Sequence, residues 1–193
     1  FDEYAVDFLE KLNAPLYKVS SFELTDLPLI KKIALTKKPI IISTGMGTIS
    51  EIEEAYKVAK KYGSTDITLL YCVSNYPSKI EDTNLLAMQT LADKFGLIVG
   101  YSDHTTNDIA CIVSVGLGAK VIEKHFTIDK SMEGPDHSTS ATPEEFSHLV
   151  KNIRLAELAL GSAIKEPCEI EKDNMYGMRR SIVAKCNIKK GEL

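Results

Sequence analysis

Five times in succession this sequence runs from a short apolar strand into an amphipathic helix, and that repetition leaves few folds open. A strand such as Ile40-Ile41-Ile42 has no polar side to offer to water. Both of its faces must be covered, which is the condition of a parallel sheet whose strands are joined by helices. Strands are expected at 15–21, 40–42, 67–72, 97–101 and 119–126. The helices carry their own start and stop signals. Asp26 and Pro28 precede Leu29, Ile30, Ile33 and Ala34; Thr48-Ile49-Ser50-Glu51 is a capping-box pattern ahead of Ile52, Ala55, Tyr56 and Ala59. Gly96 closes a helix lined by Leu85, Met88, Leu91, Ala92 and Phe95; another covers 107–117, and Thr142-Pro143-Glu144-Glu145 opens the last long one before Gly161.

An open doubly wound sheet and a (β/α)8 barrel both satisfy this pattern. The open dinucleotide fold would place Gly-x-Gly-x-x-Gly after its first strand, and only Gly45-Met46-Gly47 is present. The chain therefore reads as a TIM-type (β/α)8 barrel. A full barrel takes about 250 residues, so residues 1–162 are expected to hold its last five βα units, entered at Phe1 in what reads as the middle of a helix. Glu166, Pro167, Glu169, Glu171, Lys172, Asp173 and Asn174 then make a charged linker before the strand-like run Ile182-Val183-Ala184. Residues 163–193 are read as that linker and the start of a second domain.

With 23 basic and 27 acidic residues the net charge is −4, so no general field draws nucleic acid or anionic lipid, and an anion must be caught by local groups. No apolar run approaches the ~20 residues of a membrane helix, and Phe1-Asp2-Glu3-Tyr4 is acidic where a secretory signal is basic. A cytoplasmic setting without nucleic-acid or membrane partners is expected. Cys72, Cys111, Cys168 and Cys186 lie far apart and read as reduced thiols.

In parallel α/β folds ligands bind at the carboxyl ends of the strands. Here every such end is polar: Ser20-Ser21-Phe22-Glu23, Ser43-Thr44-Gly45, Ser74-Asn75-Tyr76, Ser102-Asp103-His104 and Lys124-His125-Phe126-Thr127. His104 and His125 follow neighbouring strands, which places them about 5 Å apart and lets them converge on one cation. Two imidazoles leave such a site open, to be completed by water, substrate or a carboxylate such as Asp136. The plain structural alternative is a pair of satisfied histidines. Glu123 shares the face of His125 and is expected to orient its ring, whereas Lys124 points to the other face. Lys18 lies within an apolar strand and needs an anion, with Glu23 as the expected structural partner. Phosphate or carboxylate capture and a Schiff base are its functional alternatives. His137, in the turn after Gly134-Pro135, reads as a substrate contact, a third ligand or an exposed residue, and His148 carries little weight.

Tyr17-Lys18-Val19-Ser20-Ser21-Phe22-Glu23, Ser43-Thr44-Gly45-Met46, Tyr101-Ser102-Asp103-His104-Thr105, Glu123-Lys124-His125-Phe126-Thr127 and Gly134-Pro135-Asp136-His137 closely resemble the sialic acid (N-acetylneuraminate) synthase family. The resemblance runs through Arg179-Arg180-Ser181, which precedes that family's C-terminal antifreeze-like (SAF) domain. It implies a barrel, a domain-swapped homodimer, and condensation of phosphoenolpyruvate with an N-acetylated aldose such as N-acetylmannosamine to a nine-carbon 2-keto acid and phosphate. It also implies a divalent metal, Mn2+ first and Mg2+ or Co2+ as substitutes. By motif, His104 and His125 hold the metal; Lys18 binds phosphoenolpyruvate with Ser21, Ser43 and Ser102; and Ser74, Tyr76 and Asp136 contact substrate. The chemistry so implied adds water at C2, and Glu23 is the candidate to accept that water's proton.

Ser21-Phe22-Glu23 departs from the Ser-Gly-Glu common in neuraminate synthases and is similar to pseudaminate-type enzymes, while Gly134-Pro135-Asp136-His137 is similar to the neuraminate and legionaminate branch. The neuraminate type is placed first, with legionaminic or pseudaminic acid synthase, acting on a diacetamido-hexose, as the alternative. A Schiff-base aldolase through Lys18, a metal-dependent hydrolase and an inactive fragment are the remaining readings. By itself the 193-residue stretch is expected to be poorly stable and inactive, because it would expose a barrel edge.

Overall fold

In the computed structural model, which describes residues 2–192, the carboxylate of Asp2 accepts the amide hydrogen of Ala5 at 2.7 Å and starts helix α1 (Glu3–Lys11). The helix therefore has a cap among the described residues. Lys32 and Lys38 reach Asp7 and Glu10 of α1 at 2.7 Å each. The chain continues as β1 (Tyr17–Val19), α2 (Leu27–Leu35), β2 (Ile40–Ser43), α3 (Ile49–Lys61), β3 (Ile67–Cys72), α4 (Ala87–Phe95), β4 (Ile98–Asp103), α5 (Ile109–Gly116), β5 (Ile122–Lys124) and α6 (Pro143–Leu160). The Thr48–Glu51 capping box forms as expected, and Gly96 ends α4 in the left-handed conformation at φ 62°. Strand β4 runs on to Asp103, and β5 is shorter than 119–126 because His125 gives its carbonyl to the Ala141 amide instead of to a strand.

All five strands are parallel and pair in chain order, β1-β2-β3-β4-β5. A doubly wound sheet reverses its order at a switch point; this one does not. It also curls. Laid flat, β1 and β5 would lie about 19 Å apart at ~4.8 Å per strand, yet Lys18 of β1 meets Glu123 of β5 at 3.1 Å. The sheet is thus a half-barrel with a concave inner face.

Alternation along the strands decides which side chains see each face. Tyr17, Val19, Ile40, Ile42, Leu69, Val99 and Tyr101 point outward and are buried with Ile30, Ile33, Ala55, Met88, Leu91 and Cys111 of the helices. That outer layer is the core. Lys18, Ile41, Leu70, Ser102 and Glu123 share the inner face through the registers of the four ladders. Among the described residues the outer edges of β1 and β5 pair with no further strand.

The chain divides after Leu160. In the second unit the expected charged linker is instead partly helical, as α7 (Glu169–Met178). Cys168 donates its amide hydrogen to Glu171 at 2.9 Å, and Lys172 pairs with Glu169 at 2.6 Å, so local polar contacts support a helix where composition alone reads as irregular. The run at 182–184 forms no strand.

Candidate active site

The polar strand ends gather into three connected groups on the inner rim. In the first, Lys18 reaches Glu123 at 3.1 Å, and Ser102 Oγ donates to the same Glu123 carboxylate oxygen at 2.7 Å. This corrects the expected Lys18–Glu23 pair. Residues 21–23 form a 3-10 turn in which Glu23 folds back and accepts the Ser20 hydroxyl, while Lys18 and Glu123 face each other across the curl. Glu123 is likewise taken up by Lys18 and Ser102 instead of by the ring of His125. Glu23 and Lys18 together line a cavity of about 260 Å3 beside β1, so the two stay neighbours without pairing. Phe22 is exposed.

The second group is built around Gly45. Its amide donates to Ser21 Oγ at 3.0 Å, and Ser21 Oγ lies 3.1 Å from Cys72 Sγ. A Cβ on residue 45 would collide with Ser74 Oγ and lie 2.8 Å from both Cys72 Sγ and Ser21 Oγ. Only glycine lets the backbone come this close to the three side chains. Ser43 Oγ and Ser74 Oγ are buried here without a hydrogen-bond partner. Gly45→Ala is expected to destabilise the protein by about 1–3 kcal/mol through this overpacking. A urea midpoint equal to that of the wild type would show the rim to be looser than described.

The third group holds the imidazoles. The ring centroids of His104 and His125 are 5.4 Å apart, as neighbouring strand ends require. Tyr76 packs against both, tilted with its ring centroid 4.2 Å from that of His104 and edge-on at 5.5 Å from that of His125. His104 Nδ1 lies 2.7 Å from the Val73 carbonyl oxygen, so it carries the hydrogen and Nε2 keeps its lone pair. Burial pushes the His104 pKa down, the nearby His125 adds to this, and the Val73 carbonyl opposes it. The ring is neutral at pH 7. Burial chiefly, with the charges of Asp136 and Glu123 adding, raises the pKa of Tyr76 and keeps its phenol protonated. Asp136 reaches this group from the loop after β5, 4.0 Å from His125 Nδ1.

His137 is not part of this cluster: its Nδ1 sits 2.7 Å from Thr127 Oγ1, which fastens the loop. His148 is exposed and approaches Asp108 at 3.5 Å. Lys124 points to the outer face, as its position predicts, and meets the buried Asp103 at 2.6 Å. Two contributors escaped the sequence reading. Glu123 as the partner of Lys18 depends on the curl of the sheet, which no local pattern encodes; Asp103 falls beyond the strand expected at 97–101, and its outward direction emerges only from the register of the longer β4.

Comparison with known proteins agrees with this geometry. The model of the NeuB family matches residues 1–165. An N,N'-diacetyllegionaminic acid synthase from Campylobacter jejuni is 48% identical over 195 residues, covering 100% of this chain and 58% of that protein. A pseudaminic acid synthase from Helicobacter pylori is 44% identical, covering 100% of this chain and 56% of its own length. The chain thus spans about half the length of these curated relatives. A crystal structure of N-acetylneuraminic acid (sialic acid) synthetase from Leptospira borgpetersenii in complex with citrate superposes with a TM-score of 0.84 at 34% identity, over 94% of this chain and 64% of that one. A parallel half-barrel with this rim and these relatives belongs to the NeuB family.

Proposed function

We propose that the protein containing this chain is a nonulosonic acid synthase that condenses phosphoenolpyruvate with an N-acetylated aldose, releasing phosphate. The observation that carries the reading is the pair of buried, unpartnered hydroxyls of Ser43 and Ser74 on the rim that also holds Lys18. A buried hydroxyl without a partner costs free energy, and an oxyanion seated beside Lys18 would satisfy both. The relatives at 48% and 44% identity put diacetamido sugars at the head of the substrates to be tested, with N-acetylmannosamine next.

The donor set fits a divalent cation of open coordination. His104 Nε2 is left over because Nδ1 is engaged, and His125 stands beside it; with two protein donors the remaining positions would go to water and substrate. His104 and His125 would hold the ion, with Mn2+ first, and when bound it supplies Lewis acidity to the aldehyde oxygen.

The chain's own residues do the rest. Lys18, with Ser21, Ser43 and Ser102 nearby, binds the anionic groups of phosphoenolpyruvate. Tyr76 and Asp136, beside the imidazoles, orient the sugar. C3 of the enol attacks the aldehyde carbon, which leaves C2 electron-poor, and water adds there. Glu23 accepts that water's proton, matching the proton that the new alkoxide takes up, and the tetrahedral intermediate expels phosphate by C–O cleavage, the leaving phosphate carrying off the hydroxyl proton as the keto group forms. Outside this chemistry, a C-terminal SAF domain and a swapped homodimer are proposed for the whole protein on the resemblance alone.

The test is phosphate release by the full-length protein with phosphoenolpyruvate, each candidate aldose and a series of divalent ions. Release that requires both an N-acetylated aldose and a divalent ion is expected; absence of release with every aldose and ion overturns the proposal.

A further inference from the structure

Asp103 and Lys124 are ladder partners at the ends of β4 and β5, and the next residue on each strand is one of the two imidazoles. Because side chains alternate, the histidines face the inner rim while Asp103 and Lys124 meet behind the sheet. Their contact is unusually complete. Lys124 Nζ donates to Asp103 Oδ2 at 2.6 Å, to the Thr105 carbonyl at 2.8 Å and to the Asn107 carbonyl at 3.2 Å, filling all three hydrogens of the ammonium. The residues it grips, Asp103 and Thr105, are the two that flank His104. The Asp103 carboxylate also accepts from the Tyr101 hydroxyl, the Thr105 amide and hydroxyl, and the Cys111 thiol. Burial and the adjacent carboxylate push that thiol's pKa up, so it stays protonated as a donor. The side chains of Asp103 and Lys124 are 0% and 7% exposed.

The geometry points to a clamp: the buried Asp103–Lys124 pair acts as a positioning device that fixes the ends of β4 and β5, and so the spacing of the His104 and His125 rings. A buried ion pair contributes little net stability compared with apolar side chains of similar volume. What it adds is direction, since an ammonium with three fixed acceptors ties the carboxylate before one histidine and the backbone carbonyls after it to the strand of the other. The consequence for a cation rests on the metal reading given above; the clamp itself does not.

The experiment compares full-length wild type, Lys124→Gln and the apolar double variant Asp103→Leu/Lys124→Met, at a temperature where circular dichroism shows each to be folded. Mn2+ affinity is measured by titration calorimetry, and exchange of the His104 Nδ1 hydrogen by NMR. The clamp predicts at least a tenfold loss of Mn2+ affinity and a faster-exchanging Nδ1 hydrogen in both, even where the double variant keeps the wild-type Tm. Should the double variant fail to fold, Lys124→Gln alone decides. Wild-type Mn2+ affinity and exchange in a folded variant would assign the pair to stability only and overturn the proposal. If the wild type takes up no Mn2+, the metal reading falls, and the exchange measurement still decides the clamp: unchanged exchange overturns it and accelerated exchange upholds it.

Discussion

Lys18→Ala in the full-length protein is expected to reduce phosphate release on the order of 1,000-fold, the scale seen when a preorganised charge partner is removed from an active site. Two effects act in the same direction. The ammonium that would face the substrate anion is lost, and the Glu123 carboxylate, which in the wild type has Lys18 at 3.1 Å, keeps its negative charge on the same rim without that cation and repels the substrate anion. KM for phosphoenolpyruvate should therefore rise as kcat falls. Glu23→Gln should lower kcat with little change in that KM, because Glu23 is assigned to the proton of the attacking water and not to the anion. Lys18 is charge-paired in the structure, which favours a binding role over imine formation. Borohydride should trap no adduct; a substrate adduct on Lys18 would move the protein to the Schiff-base class.

The second large effect concerns the imidazoles. His104→Ala is expected to lower Mn2+ affinity by more than about 100-fold, exceeding the loss usual for a residue that only orients a ligand. It removes an Nε2 donor that the Val73 carbonyl holds in one tautomer, and it takes away the ring against which Tyr76 packs at 4.2 Å. His148→Ala is the control: that ring is exposed and lies at Asp108, so Mn2+ affinity should not change. Equal affinity in His104→Ala and the wild type would remove His104 from the cation site.

Much of this arrangement was legible in the sequence, for physical reasons. Strands such as Ile40–Ser43 and Ile67–Cys72 are apolar on both faces, so a covered parallel sheet follows from burial alone. Placing His104 and His125 side by side needed only the rule that consecutive parallel strands are neighbours, and the ring separation of 5.4 Å agrees. The partner of Lys18 was not legible: nearness along the chain favoured Glu23, whereas the curl of the sheet brings β5 over β1 and puts Glu123 within reach. The expected β5 ran too far because Val121, Ile122 and Phe126 give 119–126 a strand-like look, while the Ala141 amide draws the His125 carbonyl out of the ladder. Helix α7 was missed because capping and ion pairing, not an apolar stripe, support it.

The proposed function requires one cation, two imidazoles and the substrate anion to share a single opening at the strand ends. Pulsed electron–nuclear double resonance on Mn2+-loaded full-length protein with phosphoenolpyruvate reads that arrangement. Nitrogen couplings from two imidazoles, lost singly in His104→Ala and His125→Ala, are expected together with phosphorus coupling from the bound substrate. Mn2+ bound without nitrogen coupling, or coupling that survives both substitutions, would separate the imidazoles from the cation and overturn the proposal.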